Sequence, residues 1–347
     1  WLLVVAMVLM GAGRALASGP AEAWYVDSVQ AAEGPGAELR TGLARGNTAT
    51  AVALAVGTVC GGGLPWVLGL GPDPGARLVE VTAGVVLPLS VPPLLGALIG
   101  VGYVTYVLVA LSEPPRAPAT LRGVLRDVPV TMVGGLRLGR GDVVVRRVLL
   151  TAAALGGALA VIELLTPGRA AELTGAAESG AVLFALLACA GFLCTAVGSH
   201  LAPRLARVAG GGERAVSVAL AGMTVGLVVL GCTTWWGGPS ALVGAAAGYG
   251  LVYLALGAVG PNQNELLHRR VESRGRATAL SVQSLALQLS GALAGLVAGA
   301  LPPGAGRWLL PAVGVVVMAL LWLRRPAGEP PDGRFDHETG SAVSASV

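Results

Sequence analysis

Apolar residues in this chain form long unbroken runs, without the strict alternation of a half-buried strand or the one-sided stripe of a surface helix. A membrane-crossing helix needs about 20 mostly apolar residues, and nine runs are candidates: 1–29, 46–72, 81–112, 148–166, 179–203, 215–235, 241–264, 277–300 and 308–323. The uncharged stretch 215–264 holds two of them, because Trp235-Trp236-Gly237-Gly238-Pro239-Ser240 carries a Gly-Gly-Pro break. The pattern predicts an all-α membrane protein in four parts. Residues 1–112 form three helices of a partial bundle, 113–147 a Pro- and Arg-rich cytoplasmic loop, 148–325 a six-helix bundle, and 326–347 a polar, disordered tail.

Charge tests that count. Only 12% of the 347 residues are charged, against about 25% in an ordinary soluble domain. All 23 basic residues are Arg. Loops after the odd-numbered runs hold 19 of them and loops after the even-numbered runs hold three (Arg77, Arg169 and Arg307), with Arg14 left inside the first run. Cytoplasmic loops are the Arg-rich ones, so the chain starts outside and ends inside. This strict alternation also argues against nucleic acid as the reason for the basic pI. The four cysteines, Cys60, Cys189, Cys194 and Cys232, lie in apolar runs without a CxxC pair and read as buried, inert thiols. The sequence has no phosphate-binding Gly-Lys-Ser/Thr loop, no HExxH and no Ser/His/Asp set within the apolar helices. No cofactor, no metal and no enzyme activity are expected.

A repeat organises the helices. Arg45-Gly46-Asn47-Thr48-Ala49-Thr50-Ala51 resembles Arg274-Gly275-Arg276-Ala277-Thr278-Ala279-Leu280, and the same offset places Gly62 on Gly291 and Leu64 on Leu293. The second run thus matches the eighth, six helices later. Transporters built from parallel repeats show this relation. A six-helix unit implies twelve helices in all, so three more are expected ahead of Trp1.

These features resemble the major facilitator superfamily, over essentially the whole chain, as its helices four to twelve. Trp1–Gly13 looks like the family's fourth helix, and Gly13-Arg14-Ala15-Leu16-Ala17-Ser18-Gly19-Pro20-Ala21-Glu22-Ala23-Trp24 is similar to members grouped with drug-efflux carriers. The 113–147 loop matches the family's central loop. Gly57-Thr58-Val59-Cys60-Gly61-Gly62-Gly63-Leu64-Pro65 keeps half of the GxxxGPxxGG motif, and Gly198–Arg207 lacks the Asp of the family's GxxxDRxGRR loop. The resemblance implies a plasma-membrane, multi-pass, monomeric secondary transporter. It would move a small, partly apolar molecule by alternating access, as an efflux carrier driven by a coupling proton. The alternatives are a metabolite uptake carrier and a non-transporting receptor or scaffold. The lipid bilayer, the solute and the proton are its expected partners, and nucleic acid is not.

Polar residues inside apolar runs are the candidate site. An ionisable group at the bilayer centre costs about 2.5–3.5 kcal/mol on insertion scales, so it faces the bundle interior or a watery path. Arg14 and Glu22 share one run, separated by about 80° and about 12 Å on a helix, too far to pair directly; Asp27 lies nearer water. The competing reading is a structural ion pair with a neighbouring helix. Glu163 sits near the outer end of its run, facing either the cavity or the interface. Asn262, Gln263 and Asn264 follow Pro261 and read as a hydrogen-bonding gate or as a helix end meeting water. Gln283 and Gln288 are suited to bonding between helices. Tyr103, Tyr106, Tyr249 and Tyr253 suit a cavity wall or an interfacial belt. Gly57/Gly61 and Gly291/Gly295 form GxxxG packing surfaces.

The Arg alternation makes a direct prediction. Single cysteines introduced within 113–147 should react with an impermeant thiol reagent only from the cytoplasm, and those within 167–178 only from outside. The reverse pattern would overturn the orientation.

Overall fold

The fold is that of a computed structural model. It describes residues 20–34, 40–70, 73–110, 139–270 and 273–324, with isolated positions 5, 9 and 137; most side chains within 20–51 and 268–278 lie outside the description. Every regular element among the described residues is helical. In chain order they are α1 (Pro20–Glu33), α2 (Arg40–Leu68), α3 (Pro74–Val81), α4 (Val91–Ala110), α5 (Val143–Thr174), α6 (Ala177–Ala209), α7 (Gly212–Cys232), α8 (Gly238–Arg270), α9 (Ser273–Ala300) and α10 (Ala305–Leu323).

Seven of these are long and apolar enough to cross a bilayer: Pro88–Ala110, Val143–Thr174, Ala177–Ala209, Gly212–Trp235, Gly238–Leu267, Ala279–Ala300 and Ala305–Leu323. The chain is a multi-pass helical membrane protein. Val52–Leu68, within the second expected span, is a shorter apolar stretch. Most of the first expected span lies outside the described residues, as does the tail 326–347.

Several boundaries differ from the sequence expectation. The third span begins at Pro88 and not at 81, because Thr82–Val86 turn the chain, with Ala83 and Gly84 at φ +49° and +81°. The central loop gives up its last residues to α5, whose first turn Asp142 caps by accepting from the Val144 and Val145 amides. Pro167, Pro203 and Pro261 do not end their helices, which run on to Thr174, Ala209 and Arg270. At about 1.5 Å per residue these helices approach 50 Å and project past a hydrocarbon core of about 30 Å. Proline removes the donor for the carbonyl four residues earlier. For Pro261 that carbonyl is Gly257, which accepts instead from the Ser199 hydroxyl of α6 at 3.1 Å. The break between α7 and α8 falls where the Gly-Gly-Pro segment places it: a 3-10 turn at Thr233–Trp235, then Gly238 at φ +75°.

Helices α5 to α10 share one core, centred on Val148, Ile162, Leu220, Met223, Leu227, Val252 and Val315. Lipid offers no hydrophobic drive between helices, so small residues and hydrogen bonds to carbonyls set their contacts. Gly156 of α5 lies directly under the Leu287 backbone of α9, Gly198 of α6 under Leu254 of α8, and Gly257 under Thr195. At Gly226 a side chain would come within 2.8 Å of the Gly248 carbonyl. Hydrogen bonds accompany these contacts: Ser290 Oγ donates to the Ala153 carbonyl at 2.6 Å, Ser217 Oγ to Ala319 at 2.7 Å and Thr195 Oγ1 to Tyr253 at 3.2 Å.

Of the expected GxxxG surfaces, only part is used. Gly291 meets the Gly156 backbone, while Gly57 and Gly295 face open space and Gly61 barely touches Pro92. The tight contact on α2 is Gly62, against Ala181 and Ala185 of α6. Gly62 and Gly291, superposed by the repeat register, are thus both at close helix approaches. The cysteines also differ from the expectation: all four are free, but Cys60 is exposed on its helix and the other three are half-buried.

Overpacking a filled contact costs about 1–3 kcal/mol. Gly156→Ala and Gly198→Ala should each lower thermal unfolding in detergent by that amount, because the added methyl meets backbone. Gly57→Ala, in open space, should leave it unchanged.

Candidate functional site

The antiparallel run of α5 to α10 sorts the charges onto two ends. The N-termini of α5, α7 and α9 and the C-termini of α6, α8 and α10 form an Arg-rich end. Arg169 and Arg307 mark the other.

At the Arg-rich end Arg147 is buried. Its Nη1 meets Glu213 of α7 at 3.3 Å, its Nη2 donates to the Arg324 carbonyl after α10 at 2.5 Å, and its guanidinium lies 5.8 Å from the Trp322 ring centroid. Trp322 Nε1 donates to Thr151 Oγ1 at 2.8 Å. Nearby, Arg270 of α8 pairs with Asp142 at 3.6 Å. Charge-assisted bonds thus tie α5, α7 and α10 at one point. The sequence marks Arg147 only as one more loop arginine. Its distinguishing signal is position: it lies one turn into a helix that Asp142 caps, where a side chain turns inward.

A second polar set lies in the C-terminal half of α5 and on the facing part of α8. Glu163 of α5 sits eleven residues before the helix end at Thr174, about 16 Å from it along the axis. The helix passes through Pro167, and Glu163 lies about 9 Å along the axis from Arg169. Pro167 also leaves the Glu163 carbonyl without its helix donor, so carboxylate and free acceptor occupy the same level. Across from it, Tyr249 and Tyr253 of α8 stack with ring centroids 4.6 Å apart and an interplanar angle of 28°. The Glu163 carboxylate is near enough to act on both phenols electrostatically. Gly191 of α6 makes room for both rings. Tyr249 is buried and Tyr253 half-buried, whereas Glu163 is exposed on the bundle's flank. Tyr103 and Tyr106 are exposed on α4 and take no part.

The remaining expected residues divide. Arg14 lies outside the described residues; Glu22 and Asp27 fall on α1, with side chains outside the description. Asn262 and Gln263 do not sit at a helix end meeting water. The helix continues past them to Arg270, and they are 4% and 2% exposed. Asn262 Nδ2 donates to Ala258 of its own helix at 2.9 Å and reaches the Ala202 carbonyl of α6 at 3.4 Å. Gln263 Nε2 is buried without a hydrogen-bond partner, and so is Gln283 Oε1 of α9. Asn264 is exposed. Gln288 donates to Ser284 of its own helix at 3.2 Å instead of joining two helices. The interhelical bond on α9 is made by Ser290, a residue whose type gave no separate signal. No group of three or more His, Cys, Asp or Glu side chains suited to a metal occurs among the described residues.

Comparison with protein-family models, curated proteins and solved structures gives no match to this chain. The family resemblance therefore rests on the residues and topology alone.

Removing one partner of a mostly buried ion pair leaves the other charge poorly solvated. Glu213 keeps 27% of its side-chain exposure, so water offsets part of that cost. Glu213→Gln should destabilise the protein by about 1–3 kcal/mol, read by thermal unfolding in detergent. A change below experimental error would show that Arg147 is held by Arg324 and Trp322 alone.

Proposed function

We propose that the protein is a secondary transporter of the major facilitator type, with twelve helices of which nine lie in this chain. It moves a small, partly apolar molecule out of the cell by alternating access, driven by proton entry. The observation that carries this reading is Glu163. A carboxylate within an apolar helix, beside a phenol pair and a proline-freed carbonyl, is costly against lipid and inexpensive beside a watery path. It is exposed on the flank of α5 to α10, where the other half of a two-half transporter would face it. Substrate sites in such proteins lie near the midplane between the halves. Two further features support the reading. The Arg alternation gives nine spans with no loop out of phase, and α2 packs on α6 through Gly62, as two halves that slide on a smooth contact would.

In this mechanism Glu163 takes the coupling proton or holds a polar group of the substrate. The Tyr249–Tyr253 pair supplies an aromatic face and hydroxyls beside it. Arg14, Glu22 and Asp27 would serve from the first half. A receptor or scaffold has no use for an ionisable group held within an apolar helix.

Proteoliposomes of the full-length protein with an internal pH dye test this. Members of a panel of amphipathic solutes should evoke proton movement in wild type. Glu163→Gln keeps the size and removes the titrating proton; it should abolish pH-driven movement while sparing solute exchange. Tyr253→Phe should weaken apparent solute affinity by roughly three- to tenfold, the worth of one hydrogen bond. Wild-type behaviour of both variants across pH and solute concentration would refute the site.

A further inference from the structure

The Arg-poor end holds a cavity of about 480 Å³ between the C-terminal turn of α5, the α7–α8 connection and the α9–α10 connection. That volume is within the range of small-molecule sites, about 300–1,000 Å³. Arg169, Glu172 and Arg307 line it together with Leu164, Pro303 and Trp308. Arginine is scarce here: the segments after the even-numbered apolar runs carry only Arg77, Arg169 and Arg307. Two of the three face one cavity, although they are far apart in sequence.

Both guanidiniums are fixed in place by backbone. Arg169 Nη2 donates to the carbonyls of Thr233 and Trp236, the latter at 3.0 Å. Arg307 Nε donates to Leu301 at 2.8 Å and Pro302 at 3.1 Å, and its Nη2 also bonds Leu301. Capping of carbonyls explains that much of each side chain, yet donors are left over. Arg169 Nε is buried without a partner, and the Arg307 bonds run through Nε and Nη2 only, leaving Nη1 uncommitted. Glu172 Oε2 meets Arg169 Nη1 at 2.9 Å, but its side chain is 68% exposed. Water screens it, and it can swing aside. The balance is two oriented cations against one mobile anion, set beside apolar walls.

We infer that this cavity binds an organic anion, a carboxylate or phosphate monoester with an apolar body, whose charged end meets Arg169 and Arg307 and whose body lies on Leu164, Pro303 and Trp308. The chemistry is shared by a soluble anion and by a lipid headgroup. The inference does not rest on transport, since it concerns binding between Arg169 and Arg307 and uses no titration of Glu163.

Calorimetric titration of the full chain in phosphatidylcholine nanodiscs with octanoate, and with octanamide as its neutral counterpart, tests it. Octanoate should bind and octanamide should bind at least about tenfold more weakly. Arg307→Gln and Arg169→Gln should each weaken octanoate by roughly ten- to a hundredfold. Glu172→Gln should tighten it several-fold, a gain that misfolding cannot produce. Repeating the titration with phosphatidylglycerol in the disc separates the two sources. Octanoate binding lost there supports the site with a headgroup as occupant, and binding kept there supports it with a soluble anion. Equal binding of octanoate and octanamide, or an affinity unmoved in all three variants, would overturn the proposal.

Discussion

The constraint on which the rest of this structure depends is that backbone polar groups in a bilayer have no water to turn to. It forces helices, and it also decides how they meet. With no hydrophobic drive between them, contact must come from close approach and from hydrogen bonds. Gly156 under Leu287, Gly198 under Leu254 and Gly226 against Gly248 bring backbones together. Ser290, Ser217 and Thr195 then donate across to carbonyls. The abundance of glycine, 53 residues in 347, follows from this. A leucine-rich bundle would have no reason to choose one packing over another in lipid.

The same constraint explains the prolines. In water a mid-helix proline usually ends or kinks the helix, because the freed carbonyl is readily solvated elsewhere. Here the helix is the only sheltered conformation, so the chain goes on and the freed carbonyl finds a side chain. Ser199 serves Gly257 in that way. Where no such donor comes, as at Glu163 below Pro167, the level becomes polar. The position that is least comfortable in lipid is then the one that carries the carboxylate.

Much of this was legible in the sequence. The apolar runs mark the spans, the Gly-Gly-Pro at 237–239 marks the α7–α8 break, and the arginine alternation fixes which helix ends lie together. What escaped has physical causes. The apolar runs stop short of the helix ends near Pro167, Pro203 and Pro261, because hydropathy does not register the polar turns by which these helices go on to Thr174, Ala209 and Arg270. The continuation of α8 to Arg270 is why Asn262 and Gln263 are buried within a helix and not at its end in water. The burial of Arg147 was invisible because composition cannot separate an arginine in a loop from one a turn inside a helix. GxxxG patterns named Gly291 correctly but missed Gly62 as the contact on α2, since spacing says nothing of which face meets a neighbour.

The two ends of the bundle use arginine differently, and the difference follows from number. At the Arg-rich end positive charge is plentiful, and most of it only needs to stay on one side of the membrane. One arginine, Arg147, is drawn inward and neutralised by Glu213, so that end is latched and its charge spent on structure. At the other end arginines are few, and the placement of each calls for a local reason. Backbone carbonyls at Thr233, Trp236, Leu301 and Pro302 supply part of it. Carbonyls are dipoles and not charges, however, and they orient a guanidinium without cancelling it. What remains is a positive potential fixed beside an apolar wall. The exposed Glu163 side chain precedes Leu164 of that wall, so the polar set on α5 and the two guanidiniums bound one stretch of the bundle's flank rather than two separate levels.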